Sequence, residues 1–210
     1  MSATSYAKKA GASFLELIAK RRSIYHLSDE TILSPQQVTA LIRTAVREAP
    51  SPFNVQSSRA IILFGKDHKN YWNSTVPGAL FESSGERAVE ASKPKLQMFE
   101  AGSGTVVFFE DKSAVKGMQD KFPRYAPQFP IWSYQSNGMA QVFVWTLLEA
   151  EGYGCNLQHY GNLTGEKVKE QYNLPDSYEI QAEMVFGCPL APAGEKTFID
   201  DNSRVMSFGA

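Results

Sequence analysis

Two short segments of this chain carry side chains whose types and spacing could bind a ligand. The first is Lys20-Arg21-Arg22-Ser23. Guanidinium forks match phosphate oxygens two at a time, and a serine hydroxyl adds a further donor, so the segment reads as a phosphate grip. The alternative is a basic cluster that complements the dipole at the end of a helix. The second is Ala49-Pro50-Ser51-Pro52-Phe53-Asn54-Val55-Gln56. Its Asn54 and Gln56 amides offer donors and acceptors that suit the polar, pyrimidine-like edge of a flavin ring. The alternative there is an ordinary turn between two core elements.

Other chemistries find little support. Gly152-Tyr153-Gly154 lacks a third glycine and follows a helix, and Gly102-Ser103-Gly104 precedes a strand, so neither opens a dinucleotide-binding helix. No phosphate-cradling P-loop and no nucleophile elbow occurs. His26, His68 and His159 show no ligand spacing, and Cys155 and Cys188 cannot build a four-cysteine site, so no metal is expected. The two cysteines read as free thiols in a reducing compartment, with Cys155 a buried, small apolar residue.

The elements that must hold these segments can be read from spacing. Ser13 and Glu16 form a capping box that opens a helix running to about Arg22. Ser34-Pro35-Gln36-Gln37 opens a second, with Val38, Leu41, Ile42, Ala45 and Val46 on one face. Pro50 and Pro52 end it. Ala60–Phe64, Thr105–Phe109 and Ile180–Phe186 read as strands, and Arg204–Phe208 as a terminal strand. Polar helices are expected near Asp67–Asn73 and Gly85–Phe99, and another over Thr164–Tyr172. Lys121–Trp132 reads as an ordered, aromatic loop before a long helix faced by Met139, Val142, Phe143, Leu147 and Ala150. Few strands, irregularly interleaved with helices, predict an α+β domain.

Bulk composition narrows the partners. With 210 residues and 43% hydrophobic content, one globular domain over 1–210 is expected, with 1–12 as a flexible tail. The net charge of −1 gives no pull toward nucleic acid or an anionic membrane. No apolar run is long enough to span a bilayer, and the N-terminus lacks an apolar signal region, so cytoplasmic localisation is the expectation.

Taken together, several segments resemble the FMN-dependent nitroreductase family. They are Arg21-Arg22-Ser23-Ile24-Tyr25, the Pro50-to-Gln56 loop, Gly104–Asp111, Phe129-Pro130-Ile131-Trp132-Ser133, Gln135–Gln141 and Cys155–Tyr160. They are closest to its fungal and Gram-positive subgroup, which includes the yeast fatty-acid-repression nitroreductases. The resemblance implies a nitroreductase-like fold, a central mainly antiparallel sheet flanked by helices, in an obligate homodimer with FMN at the interface. It carries Arg21, Arg22 and Ser23 to the FMN phosphate and ribityl chain. Pro50, Ser51, Asn54 and Gln56 become the loop that reaches the flavin from the partner chain. Leu157 and Gln158 line the ring, and Lys196 and Arg204 are the late basic residues that close on the phosphate. Tyr25, Phe129, Trp132 and His159 are the candidate substrate-lining residues. Tyr25 and Pro52 stand where many members carry a basic residue and a serine.

The activity implied is a two-electron, ping-pong reduction of nitroaromatics or quinones at the expense of NAD(P)H. FMN carries the chemistry, so no protein acid, base or nucleophile is assigned. The subgroup also implies a second class of function, a flavin-binding sensor with little turnover linked to lipid or oxidative-stress signalling.

Overall fold

The structure, a computed structural model, describes residues 13–209; the tail expected over 1–12 lies outside the described residues. Residues 13–20 form helix α1. Helix α2 spans Pro35–Glu48. Its expected capping box is present. The Gln37 N–H donates to Ser34 Oγ at 3.3 Å, and Ser34 N donates to Gln37 Oε1 at 3.0 Å. Pro35 sits where a missing N–H costs nothing.

Five strands build the sheet. They are β1 (Leu27–Ser28), β2 (Ser58–Phe64), β3 (Gly104–Asp111), β4 (Gly154–Gln158) and β5 (Tyr178–Pro189). The long β5 pairs with β3, β4 and β1, and β3 pairs with β2, every ladder being antiparallel. An isolated parallel bridge joins Ser23 to Cys155. Strand β3 is buried along its whole length, as its unbroken apolar run requires of a strand covered on both faces.

Alternation along β3 divides the core in two. Val106 and Phe108 pack with Val38 and Ile42 of α2 and with Val144 and Leu148 of α7 (Phe129–Ala150). Val107 and Phe109 pack with Tyr71, Trp72, Phe99 and Val168 on the other face. That second layer is made by α3 (Gly65–Asn70), a π turn (Tyr71–Thr75), α4 (Val76–Ser84), α5 (Glu86–Glu100) and α8 (Gly161–Tyr172). The π turn delivers the adjacent Tyr71 and Trp72 into the core, both completely buried. Helix α6 (Lys112–Lys121) precedes α7, and a short α9 (Asp201–Arg204) lies in the terminal arm.

Three expectations are corrected. Residues 205–209 form no strand. Val205 and Phe208 are 75% and 89% exposed, and the segment joins no ladder of the sheet. The expected loop over Lys121–Trp132 contains one turn of 3₁₀ helix, and α7 already starts at Phe129, with Pro130 in the first turn where proline is tolerated. Finally, of the expected face of α7, Phe143 and Leu147 pack against the core, but Met139 and Val142 are 40% and 42% exposed, and the fully buried positions are Ala140, Val144 and Leu148.

Candidate functional site

Arg21, Arg22 and Ser23 leave α1 and run beside β4. Ser23 bridges Cys155, and the Ile24 N–H donates to Cys155 O at 2.9 Å, so Leu157 and Gln158 continue the strand alongside this turn. The Arg22 backbone N–H donates to both oxygens of Glu149, at 3.1 and 3.0 Å. Glu149 also accepts from Trp145 Nε1 at 2.9 Å. Burial raises the Glu149 carboxyl above its ordinary range, and these N–H donors act against that rise. The Arg21 guanidinium carbon lies 4.5 Å from the Trp145 ring centre, a cation–π stack. The Arg22 guanidinium donates to Gly194 O, tying the start of the terminal arm to the same turn. Further along the arm, Lys196 and Arg204 both lie over Phe198, at 4.8 and 5.8 Å.

Next to Leu157, the Gln158 amide donates to Asn156 Oδ1 at 2.8 Å, and Asn156 donates to Ile24 O at 2.9 Å. His159 is exposed, and its Nδ1 lies 3.3 Å from Gln181 O, a contact in which the imidazole must donate. Tyr25 is exposed on the same run. Cys155 is fully buried and its thiol is pushed well above the ordinary range by that burial. Neither cysteine is in a disulfide.

The second segment is a tight, strained loop. Ser51 Oγ accepts from Gln56 N at 2.9 Å, and Ser51 O accepts from Asn54 N at 3.0 Å. Phe53, Asn54 and Gln56 adopt φ of 53°, 54° and 51°. Left-handed backbone costs a residue with a side chain roughly 1–2 kcal/mol, so three such residues within four positions is a concentration of strain typical of ligand-binding loops. Phe53 packs on Phe122, Phe129 and Trp132, with ring centres 4.8, 5.5 and 6.3 Å away. Between this loop and α7 lies an open cavity of about 430 Å³, walled by Pro50, Ser51, Phe53, Trp132, Gln135 and Met139.

The expected residues thus gather into two groups. Arg21, Arg22, Ser23, Tyr25, Leu157, Gln158 and His159 form one, with Lys196 and Arg204 on the arm tethered to it. Pro50, Ser51, Asn54, Gln56, Phe129 and Trp132 form the other. Arg21 rests on Trp145 and Phe53 on Trp132, both of α7. These contacts are about 20 Å apart along the helix, so one chain does not bring the two groups together. Trp145 and Glu149 under Arg21 were not singled out from sequence, and Phe53, Gln135 and Met139 in the cavity wall fall within motifs or elements read from sequence without being assigned to the site. The four-residue spacing of Trp145 and Glu149 on one helix face was the available signal.

A tighter cavity of about 240 Å³ lies elsewhere, by His68, Lys69 and Tyr153. Its polar groups are already engaged: Tyr153 OH accepts from Leu33 N at 2.9 Å, and Lys69 pairs with Asp29 at 3.5 Å. Among the described residues no helix is long and apolar enough to cross a membrane.

An antiparallel sheet between helical layers, with an arginine–serine turn beside β4 and a proline–serine amide loop, defines a class. The chain belongs to the nitroreductase family, whose model matches residues 18–188. It is 33% identical to HBN1 of Saccharomyces cerevisiae over 200 residues, covering 94% of this chain and 99% of that protein. Among solved structures it is 40% identical to the nitroreductase CinD from Lactococcus lactis, covering 93% of this chain and 99% of that one. CinD was solved with nicotinic acid, with chloramphenicol and with 4-nitrophenol, at TM-scores of 0.87, 0.85 and 0.85. The same fold, at 16% identity and a TM-score of 0.69, occurs in an Exiguobacterium sibiricum protein solved in complex with FMN, covering 93% of this chain and 97% of that one.

Proposed function

We propose that this chain is an FMN-dependent oxidoreductase that takes a hydride from NAD(P)H and passes two electrons to a flat nitroaromatic or quinone. The observation that carries this reading is the donor set beyond α1. Among the described residues the Arg21 guanidinium makes no hydrogen bond or salt bridge, and the one carboxylate that feels its charge is Glu149. The Arg21 guanidinium carbon lies over the Trp145 ring, 4.5 Å from the centre, and the exposed Ser23 follows two residues on. The carboxylate in the same region, Glu149, is engaged by the Arg22 N–H and the Trp145 indole instead. Unspent guanidinium donors and a serine hydroxyl on the same turn fit a phosphate monoester, which is the anionic end of FMN. Lys196 and Arg204, on the arm that Arg22 holds, are the remaining cations for that phosphate.

Bound FMN would supply the hydride and electron chemistry. The chain's own residues bind and orient. Leu157 and Gln158 present a strand edge to the ring. Ser51, Asn54 and Gln56 offer amide and hydroxyl groups to its polar rim. Phe53 and Trp132 give the open cavity an apolar wall for a flat ring, with Tyr25 and His159 at the other group; Phe129, expected to line the substrate, is instead 1% exposed and packs behind Phe53. Because the two groups lie at opposite ends of α7, the complete site takes one group from each chain of a homodimer. The exposed apolar side chains of α1, among them Phe14, Leu15 and Ile18, and those of the terminal arm would be covered in that dimer. The ligands of CinD support the substrate class. Two are nitroaromatics, and the pyridine ring of nicotinic acid matches that of the nicotinamide donor.

Steady-state oxidation of NADH by the FMN-loaded protein, with a nitroarene or a benzoquinone as acceptor, tests the reading. Turnover of about 1 per second or faster is expected of an enzyme. Firm FMN binding with near-zero turnover would instead favour a flavin-binding redox sensor. A protein that takes up no FMN would overturn both.

A further inference from the structure

Resting on the reading of Arg21 as a phosphate contact, we infer that Trp145 is a positioning residue for that contact, held in place by Glu149. One face of α7 holds Arg21 at both ends. At the root, Glu149 takes the backbone N–H of Arg22 with both oxygens, at 3.1 and 3.0 Å, and so fixes the turn from which Arg21 departs. At the tip, the guanidinium lies 4.5 Å from the Trp145 ring centre.

Trp145 is itself packed and hydrogen-bonded. It is 8% exposed and sits in the α2–α7 core, and its single N–H donates to Glu149 at 2.9 Å. Residues four apart share a helix face, so the indole and the carboxylate form one unit. A guanidinium held against a ring face has that side shielded and presents its remaining N–H donors to whatever anion arrives. Its rotamer freedom is spent before binding rather than during it. Cys155 does not compete, because burial keeps its thiol protonated and no thiolate draws Arg21 inward.

The test compares FMN with riboflavin, which lacks the phosphate. Dissociation constants are measured by flavin fluorescence for the full-length protein and for Arg21→Ala, Trp145→Leu and Trp145→Phe, together with the Arg21→Ala/Trp145→Leu double variant. Trp145→Leu is expected to weaken FMN about three- to tenfold, the range of a partly desolvated cation–π contact, and to leave riboflavin unchanged. Trp145→Phe keeps a ring face and should lose less. In the Arg21→Ala background, removing Trp145 should have no further effect. A general packing role would weaken both flavins alike, and that result overturns the inference. Weakening by Arg21→Ala without weakening by Trp145→Leu overturns the inference alone. No weakening by Arg21→Ala overturns the phosphate reading beneath it. Should Trp145→Leu not fold, Trp145→Phe in both backgrounds carries the same comparison: an FMN-selective loss that vanishes without Arg21 supports the inference, and its absence overturns it.

Discussion

A guanidinium held against an indole has less freedom left to lose when an anion arrives. That makes Arg21 the residue whose loss should be felt most. Charge-assisted hydrogen bonds contribute about 1.5–3 kcal/mol, so Arg21→Ala should weaken FMN binding about ten- to a hundredfold with no change in elution volume. Equilibrium titration followed by gel filtration checks this, and an unchanged dissociation constant would contradict it. At this scale much of the candidate site was legible, because arginine–arginine–serine and asparagine–x–glutamine name their chemistry directly. What sequence did not reveal was the support. Trp145 and Glu149 look like ordinary residues of an apolar helix until Arg22 N and Arg21 arrive from 120-odd positions away. Phe53 likewise looks like a turn residue, yet its left-handed backbone aims it at Phe129 and Trp132.

Elements that carry their own signals were readable. Helix α2 announces both its start and its buried face, and β2, β3 and β5 are runs too apolar to lie anywhere but inside. Strand β4 was not readable. It has five residues, and the side-chain N–H of the buried Asn156 at its centre donates to Ile24 O, a partner far off in the chain. The start of α7 was masked by prolines that belong to its first turn. Tight packing of the sheet also makes a direct prediction. A Cβ on Gly104 would lie 2.5 Å from the Phe186 ring and 2.8 Å from Leu63 O, whereas one on Gly117 in α6 meets nothing within 4 Å. Gly104→Ala should therefore destabilise by about 1–3 kcal/mol, and Gly117→Ala should stabilise by about 0.5–1 kcal/mol. Urea denaturation of the two variants separates these outcomes, and equal effects would argue against the register of β2, β3 and β5.

Across the whole molecule, two properties depend on how distant parts meet. One is pH dependence. His68 is 1% exposed, between α3 and β3. Its Nε2 lies 3.1 Å from Glu100 O, so that nitrogen carries the proton. Its Nδ1 then accepts from the Thr105 hydroxyl at 2.8 Å, which itself accepts from Trp72 Nε1 at 2.9 Å. Burial lowers the imidazole pKa below 6.5 in the folded state. Below 6.5 the unfolded chain takes up a proton that the folded chain refuses. Stability from this residue is therefore complete above 6.5 and falls as pH drops toward the folded value, by at most about 1.4 kcal/mol per pH unit. The drop in urea midpoint between about pH 7.5 and about pH 5.5 should be larger for the wild type than for His68→Gln. Equal drops would contradict the assignment.

The other property is the sharing of the site. If the Arg21 group and the Asn54 group come from different chains, Arg21→Ala and Asn54→Ala subunits each fail as homodimers. Mixed, they form heterodimers in which one site is fully wild type and the other carries both lesions. Recovery of tight FMN binding on mixing is expected, to about one site per heterodimer. No recovery would mean that both groups serve one chain's own site. The most direct measurement of all is a visible spectrum of the FMN-loaded protein during anaerobic addition of NADH, then of a nitroarene or quinone. The flavin bands should bleach with the donor and return with the acceptor. Bands that stay unbleached, or that bleach and do not return, would contradict the reductase assignment.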